Sequence, residues 1–245
     1  MTDISVLRRA LPFWLSLGLV PLAAIGAMRG GWTVFLMPLY AWTLITILDL
    51  ALGRDETNPD PQTGEADLAW YRAITLIWLP VQILIIYGSI WWITRAGTMS
   101  WPGRIAMMFG IGVASGTIGI VYSHELMHQR NRLERWLGDL LLATVLYSHF
   151  RTEHLLVHHR FVGTPRDAVS ARYNEGFHRF FFRVLRDCPA SAWRAEREML
   201  ARAGRPVWHP TNPFWRYGVL QALALALALA VGGWEGLVLF LLQAF

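Results

Sequence analysis

Five histidines in two tight groups are the residues of this sequence best suited to chemistry. The first group is the pair His124 and His128 in the motif HELMH, and the second is His154, His158 and His159 in the motif HLLVHH. Residues four apart lie on one face of an α-helix, so each HxxxH pair can offer two neutral imidazole nitrogens to one metal ion. The spacing therefore predicts a metal site.

His159 follows His154 by five positions, which is about 140° further round an ideal helix with 3.6 residues per turn. Adjacent histidines then point apart, so one ion is not expected to bind all three. The HxxxHH pattern suits either a site with two metal ions or a distorted helix. The HELMH motif also fits the zincin pattern HExxH, in which Glu125 would be the general base of a zinc peptidase.

The composition indicates which elements must position these histidines. Of the 245 residues, 54% are hydrophobic and only 16% are charged, against about 25% charged residues in soluble domains. The single cysteine, Cys188, cannot form an internal disulfide. Apolar stretches near the length of about 20 residues that spans a bilayer predict membrane helices at 11–28, 32–48, 70–94, 104–123 and 213–232, and a sixth begins near Leu237.

The distribution of arginine predicts the orientation in the membrane. Residues 124–212 carry 14 of the 22 basic residues, all of them arginine, and 9 acidic residues. Because basic loops stay in the cytoplasm, we expect the N-terminus and both histidine groups on the cytoplasmic side of the cell inner membrane, converging at the ends of the membrane helices. A basic segment between spans indicates an anionic lipid surface more simply than nucleic acid, so no nucleic-acid partner is expected.

The motif HELMH, followed by EHLLVHHRFVGTPRDAVSAR and NEG, resembles the membrane alkane 1-monooxygenases of the wider fatty-acid desaturase/hydroxylase superfamily. The stretch from Leu48 to Asp55, with Asn58-Pro59, resembles the loop after the second span of the same family. The resemblance runs from about residue 40 to the end. It implies a six-helix enzyme with two non-haem iron ions, which hydroxylates a terminal carbon with O₂ and electrons from a rubredoxin-type donor and its reductase.

The resemblance also assigns roles to residues. It makes the five histidines the iron ligands, and Glu125 and Glu153 groups that orient them. Asp49 is a supporting candidate by analogy. His149, five residues before His154, is a further supporting candidate by its position. His178 and His209 lie outside the motifs.

Several positions depart from the family pattern and indicate a divergent branch. Gln129 replaces a usual lysine, Val157 a common glycine, and Ala168 a usual proline. No histidine follows His209, so the family's third histidine box is absent. We therefore expect a C-terminally incomplete protein that cannot by itself assemble the complete site.

Together these observations predict an all-α polytopic membrane bundle of about six transmembrane helices, the last one truncated, forming a single domain over residues 1–245. The predicted activity is hydroxylation of the terminal carbon of alkanes or similar hydrocarbons that enter from the lipid bilayer. Three alternatives remain at this point. They are a related desaturase or other hydrocarbon hydroxylase, an intramembrane zinc protease, and a metal-binding membrane protein without catalytic activity.

Overall fold

The computed structural model describes residues 4–53 and 68–244, and all regular secondary structure in these ranges is helical. The chain divides into two compact units. Unit 1 comprises residues 1–145 and 224–245, and unit 2 comprises residues 146–223. Part of the stretch that resembles the family's second loop, residues 54–59, lies outside the described residues.

Five helices of the described chain are long and apolar enough to cross a membrane, and they coincide with the predicted spans. They are α1 (Arg9–Arg29), α2 (Gly31–Leu52), α3 (Ala69–Ala96), α4 (Trp101–Met127) and α8 (Pro213–Ala244). Between α4 and α8 lie α5 (Arg132–Thr144), α6 (residues 150–161) and α7 (Phe177–Arg202). The all-α polytopic membrane bundle predicted from the sequence is therefore confirmed.

Helix α8 is broken at Gly233, whose φ of 63° and ψ of −157° are not helical. A side chain at Gly236 would place its Cβ 2.6 Å from the carbonyl oxygen of Ala228. In an unbroken helix, eight residues would separate these positions by about 12 Å along the axis. The chain therefore reverses at Gly233, and its second limb begins where the sixth span is predicted.

The C-terminal end of α4, where the first histidine group lies, is fixed against α5. Ser123 Oγ donates a hydrogen bond to the carbonyl of Gly138 at 2.9 Å. Gly138 permits this close approach, because a Cβ there would lie 3.1 Å from the Ser123 carbonyl oxygen. Helix α5 begins where the Asn131 side chain accepts a hydrogen bond from the Leu133 amide, as expected of an N-cap residue. Helix α5 thus packs against the end of α4.

A buried polar network ties three helices of unit 1 together. Trp78 Nε1 donates to Gln82 Oε1 at 2.8 Å, and Gln82 Nε2 donates to Thr144 Oγ1 at 2.7 Å. Gln243 Nε2 donates to the carbonyl of Thr144 at 2.8 Å. Hydrogen bonds between polar side chains link helices where the surroundings are apolar, so this network fixes α3, α5 and the second limb of α8.

Candidate metal centre

The first histidine group lies at the C-terminal end of α4, with His124 in the last turn and His128 directly after the helix as its C-cap residue. Their ring centroids are 4.7 Å apart, so the two imidazoles lie on one face of the helix, as the spacing predicts. Glu125 Oε1 lies 3.3 Å from His124 Nδ1, and most of the Glu125 side chain is exposed. The end of α4 therefore offers two imidazoles and an adjacent carboxylate to a metal ion.

The second group lies on α6, whose central turn, Glu153–His158, is a π-helix between two short α-helical turns. The ring centroid of His154 is 5.3 Å from that of His158 and 4.4 Å from that of His159. The Nε2 atoms of His154 and His159 are 2.9 Å apart. The imidazoles of His158 and His159 therefore both lie next to that of His154.

The π-turn changes the position of His159 relative to His154, whereas the rings of the adjacent pair, His158 and His159, stay 6.1 Å apart. In a π-turn, backbone hydrogen bonds join residues five positions apart. A residue therefore lies nearly above the one five positions before it. His159 is thereby brought over His154, whereas an ideal α-helix would place it about 140° away. The described residues thus show the distorted helix that the HxxxHH pattern allowed.

The spacing of the two Nε2 atoms fits a bound metal ion. Imidazole nitrogens bind such ions at about 2.1 Å, and two ligands at right angles on one ion then lie about 3 Å apart. The 2.9 Å between His154 Nε2 and His159 Nε2 matches this distance. Neutral imidazoles suit iron, copper, nickel and zinc, so the donor set alone does not select one metal.

Asp167 is a candidate supporting residue that the sequence analysis did not assign. Its Oδ2 lies 3.0 Å from His158 Nδ1 and accepts a hydrogen bond from Ser170 Oγ at 2.7 Å, while Oδ1 accepts one from the Val169 amide. Burial acts to raise the pKa of Asp167, but these hydrogen bonds from Ser170, His158 and Val169 lower it overall. An ionised carboxylate only accepts, so His158 Nδ1 donates and its Nε2 is left free for a metal.

The loop that carries Asp167 is held in place by Arg183 of α7. Its guanidinium donates to both carboxylate oxygens of Glu175, at 2.7 and 2.6 Å, and to the carbonyls of Ala168 and Ser170. A bidentate arginine–carboxylate pair is among the strongest protein hydrogen-bonding arrangements. The motif TPRD was visible in the sequence, but nine residues separate Asp167 from His158, and no helical spacing predicts their contact.

Glu153 is fully buried beside His154, and neither carboxylate oxygen has a hydrogen-bond partner among the described residues. Burial above all, together with the charge of Asp167, raises the pKa of Glu153 to about 7, and His158 opposes this shift. A buried carboxylate without a partner is unfavourable, and a bound cation next to it removes that penalty. Glu153 therefore fits a metal site, although within the second group the carboxylate that hydrogen-bonds a histidine is that of Asp167.

The other predicted supporting residues lie in different settings. Asp49 is exposed near the end of α2, where its carbonyl accepts a hydrogen bond from the Gly53 amide. The His149 ring packs on Tyr147 at 4.5 Å, and its Nε2 is buried without a partner among the described residues. Burial lowers the pKa of His149 to about 4, so this imidazole is neutral at physiological pH.

Thr152 joins α6 to α7 and α8 within unit 2, and its replacement by valine should destabilise the fold. Its Oγ1 donates to Glu196 Oε1 at 2.9 Å and lies 2.9 Å from the Tyr217 hydroxyl. Thr152→Val leaves a buried carboxylate without this donor, so we expect the free energy of unfolding to fall by about 1–3 kcal/mol. Thermal unfolding in detergent measures the change. Thr117→Val, at an exposed threonine that bonds only within its own helix, should have little effect, and equal losses would contradict the assignment.

A membrane helix bundle with an HxxxH pair and an HxxxHH group defines a multi-pass membrane protein with histidine boxes. Residues 99–245, more than half of the chain, match the model of the fatty acid desaturase family. The chain belongs to that family.

Individual relatives indicate a narrower class of enzyme than the family model does. The chain is 34% identical over 244 residues to alkane 1-monooxygenase 2 of Pseudomonas aeruginosa, and 37% identical over 213 residues to alkane 1-monooxygenase 1 of the same organism. These matches cover 98% and 81% of this chain but 62% and 53% of the relatives. The chain is also 27% identical over 212 residues to the hydroxylase component of a Pseudomonas putida xylene/toluene monooxygenase, covering 85% of this chain and 56% of that protein.

Proposed function

We propose that this chain is the histidine-box part of a membrane monooxygenase that hydroxylates the terminal carbon of alkanes or similar hydrocarbons. The observation that carries the proposal is the π-turn of α6, which brings the imidazoles of His158 and His159 next to that of His154, beside a buried carboxylate that has no hydrogen-bond partner among the described residues. The similarity to alkane 1-monooxygenases supports the reaction type.

The metal in this proposal is non-haem iron, with two ions per protein. The residues that would hold it are the imidazoles of the two boxes, His124, His128, His154, His158 and His159. Iron so bound supplies the activation of O₂ that an unreactive C–H bond requires. Glu125 and Asp167 orient the imidazoles to which they lie close, and Glu153 balances positive charge.

The role of Asp167 follows from the atoms it contacts. By accepting the Nδ1 proton of His158 it fixes both the tautomer and the ring orientation, so that Nε2 stays unprotonated. A carboxylate behind a ligating histidine also makes the imidazole more basic. Arg183 holds the loop, and Ser170 and Val169 hold the carboxylate itself.

The substrate class, the electron donor and the topology form part of the same proposal. The relatives' names specify alkanes, xylene and toluene, and such apolar molecules concentrate in a bilayer, from which the membrane helices give access. We infer a cell inner membrane location with cytoplasmic histidine boxes from the arginines of residues 124–212. A rubredoxin-type donor with its reductase would dock there, since an acidic carrier complements this basic segment.

The relatives of this chain favour the monooxygenase over the alternative functions. Membership of the fatty acid desaturase family favours oxidative chemistry over an HExxH zinc peptidase. The named relatives are monooxygenases, which favours hydroxylation over desaturation.

Product analysis tests the proposal. The complete coding region, co-expressed with a rubredoxin and its reductase, should convert octane to 1-octanol, and the purified protein should hold two irons. Gas chromatography with mass spectrometry identifies the product, and elemental analysis counts the metal. An alkene product would identify a desaturase, whereas one zinc per chain with no oxidised product would contradict the monooxygenase.

A further inference from the structure

Unit 2 contains a cleft of 460 Å³ behind the second histidine group. Leu155 and Leu156 of the π-turn and Met199 of α7 form its apolar wall. Its charged lining consists of four arginines and one glutamate, namely Arg160, Arg166, Arg194, Arg202 and Glu198. We call this the arginine cleft. Arg166 and Arg194 also line an adjoining cleft of 650 Å³.

Three of these arginines lack a compensating charge. Within residues 4–53 and 68–244, no carboxylate pairs with Arg160, Arg166 or Arg194, whereas Arg202 pairs with Glu198 at 3.6 Å. Glu198 is the acidic residue of the lining, so this pair leaves three positive charges facing one concave surface.

Two of the guanidiniums lie close to one aromatic ring, although both arginines are exposed. Arg160 lies 5.2 Å and Arg166 4.7 Å from the centroid of the Phe161 ring. Cation–π contacts of this length are favourable, but gathering two like charges around one ring is not. An anion between the guanidiniums would relieve their repulsion.

The chemistry of the lining points to a phosphate group. Two N–H groups of one guanidinium can bind two phosphate oxygens at once. The volume of the cleft is in the range of sites that bind small molecules. The apolar wall beside the arginines suits an amphiphile. Residues 146–223 follow one span and lead into the next, and basic pockets in such segments bind phospholipid headgroups.

We propose that the arginine cleft binds a phosphate-bearing ligand, either the headgroup of an anionic phospholipid or a free phosphate ester. The site is distinct from the metal centre and requires no bound metal. The Arg160, Arg166 and Arg194 guanidiniums bind the phosphate, and Leu155, Leu156 and Met199 contact the apolar part of an amphiphilic ligand.

Titration of the purified, delipidated chain in detergent tests this site. The probes are dihexanoyl phosphatidylglycerol and inorganic phosphate, with binding followed by calorimetry. A charged hydrogen bond contributes about 1.5–3 kcal/mol, so Arg166→Gln and Arg194→Gln should each raise the dissociation constant at least about tenfold. Arg197→Gln is the matched control, because Arg197 is exposed on the same helix and does not line the cleft.

The two sources of phosphate give different results. Tighter binding of the phospholipid than of inorganic phosphate, with both lost in the cleft variants, supports a lipid headgroup. Equal binding of both probes, again lost in the cleft variants, supports a free phosphate ester. The proposal is overturned if the parent chain binds neither probe, if Arg197→Gln weakens binding as much, or if only an acidic carrier protein binds in an arginine-dependent way.

Discussion

Alanine at any box histidine is expected to abolish hydroxylation and to lower the affinity for iron by more than about 100-fold, with membrane insertion unchanged. Loss of a partner that merely orients a ligand typically costs 10–100-fold, and loss of the ligand itself should cost more. Insertion depends on apolar helices instead. The variants are single substitutions at His124, His128, His154, His158 and His159.

The measurements are iron per chain, product formation and the amount of protein in the membrane fraction. His178→Ala and His209→Ala are the matched controls, because both side chains lie outside the boxes, and that of His209 contacts Thr211. These controls should keep near-parental iron and turnover. Near-normal turnover in any one box variant would remove that histidine from the ligand set.

Asp167→Asn should lower iron affinity and turnover by about 10–100-fold, although Asp167 is itself not a predicted ligand. The amide keeps the shape of the carboxylate but loses its charge. It therefore holds the His158 Nδ1 proton less strongly and leaves the imidazole less basic. Iron titration monitored by absorbance or elemental analysis gives the affinity.

A graded series separates orientation from general damage. Ser170→Ala removes one donor to Asp167 and should produce a smaller loss than Asp167→Asn. Asp187→Asn, which removes a carboxylate paired with exposed Arg186, should leave iron binding unchanged. If Asp187→Asn and Asp167→Asn weaken binding equally, the effect comes from net charge and not from the contact with His158.

The amino-acid sequence by itself determined where the membrane helices lie and which histidines are candidate metal ligands. Spans are predictable because bilayer thickness sets the length of an apolar helix, and the predicted segments 70–94 and 104–123 lie within α3 and α4. The HxxxH spacing likewise determined that His124 and His128 share a face, since α4 is regular there. These properties depend on residues close together in the chain.

Tertiary structure decided how the second box is arranged. The sequence HLLVHH is compatible with an α-helix that separates His154 from His159, and only the π-turn brings their Nε2 atoms to 2.9 Å. A π-turn is rare as a local conformation. Here it lies in a segment whose flanking Thr152 is bonded to Glu196 and Tyr217, residues distant in sequence.

The same reason explains why Asp167 was missed and Glu153 was given the orienting role. Both are acidic residues near the box in sequence, and spacing alone does not distinguish them. The Arg183–Glu175 pair folds the loop so that Asp167 reaches His158, while Glu153 is buried without a hydrogen-bond partner among the described residues. Such contacts depend on where a loop is held by residues far along the chain, which local periodicity does not encode.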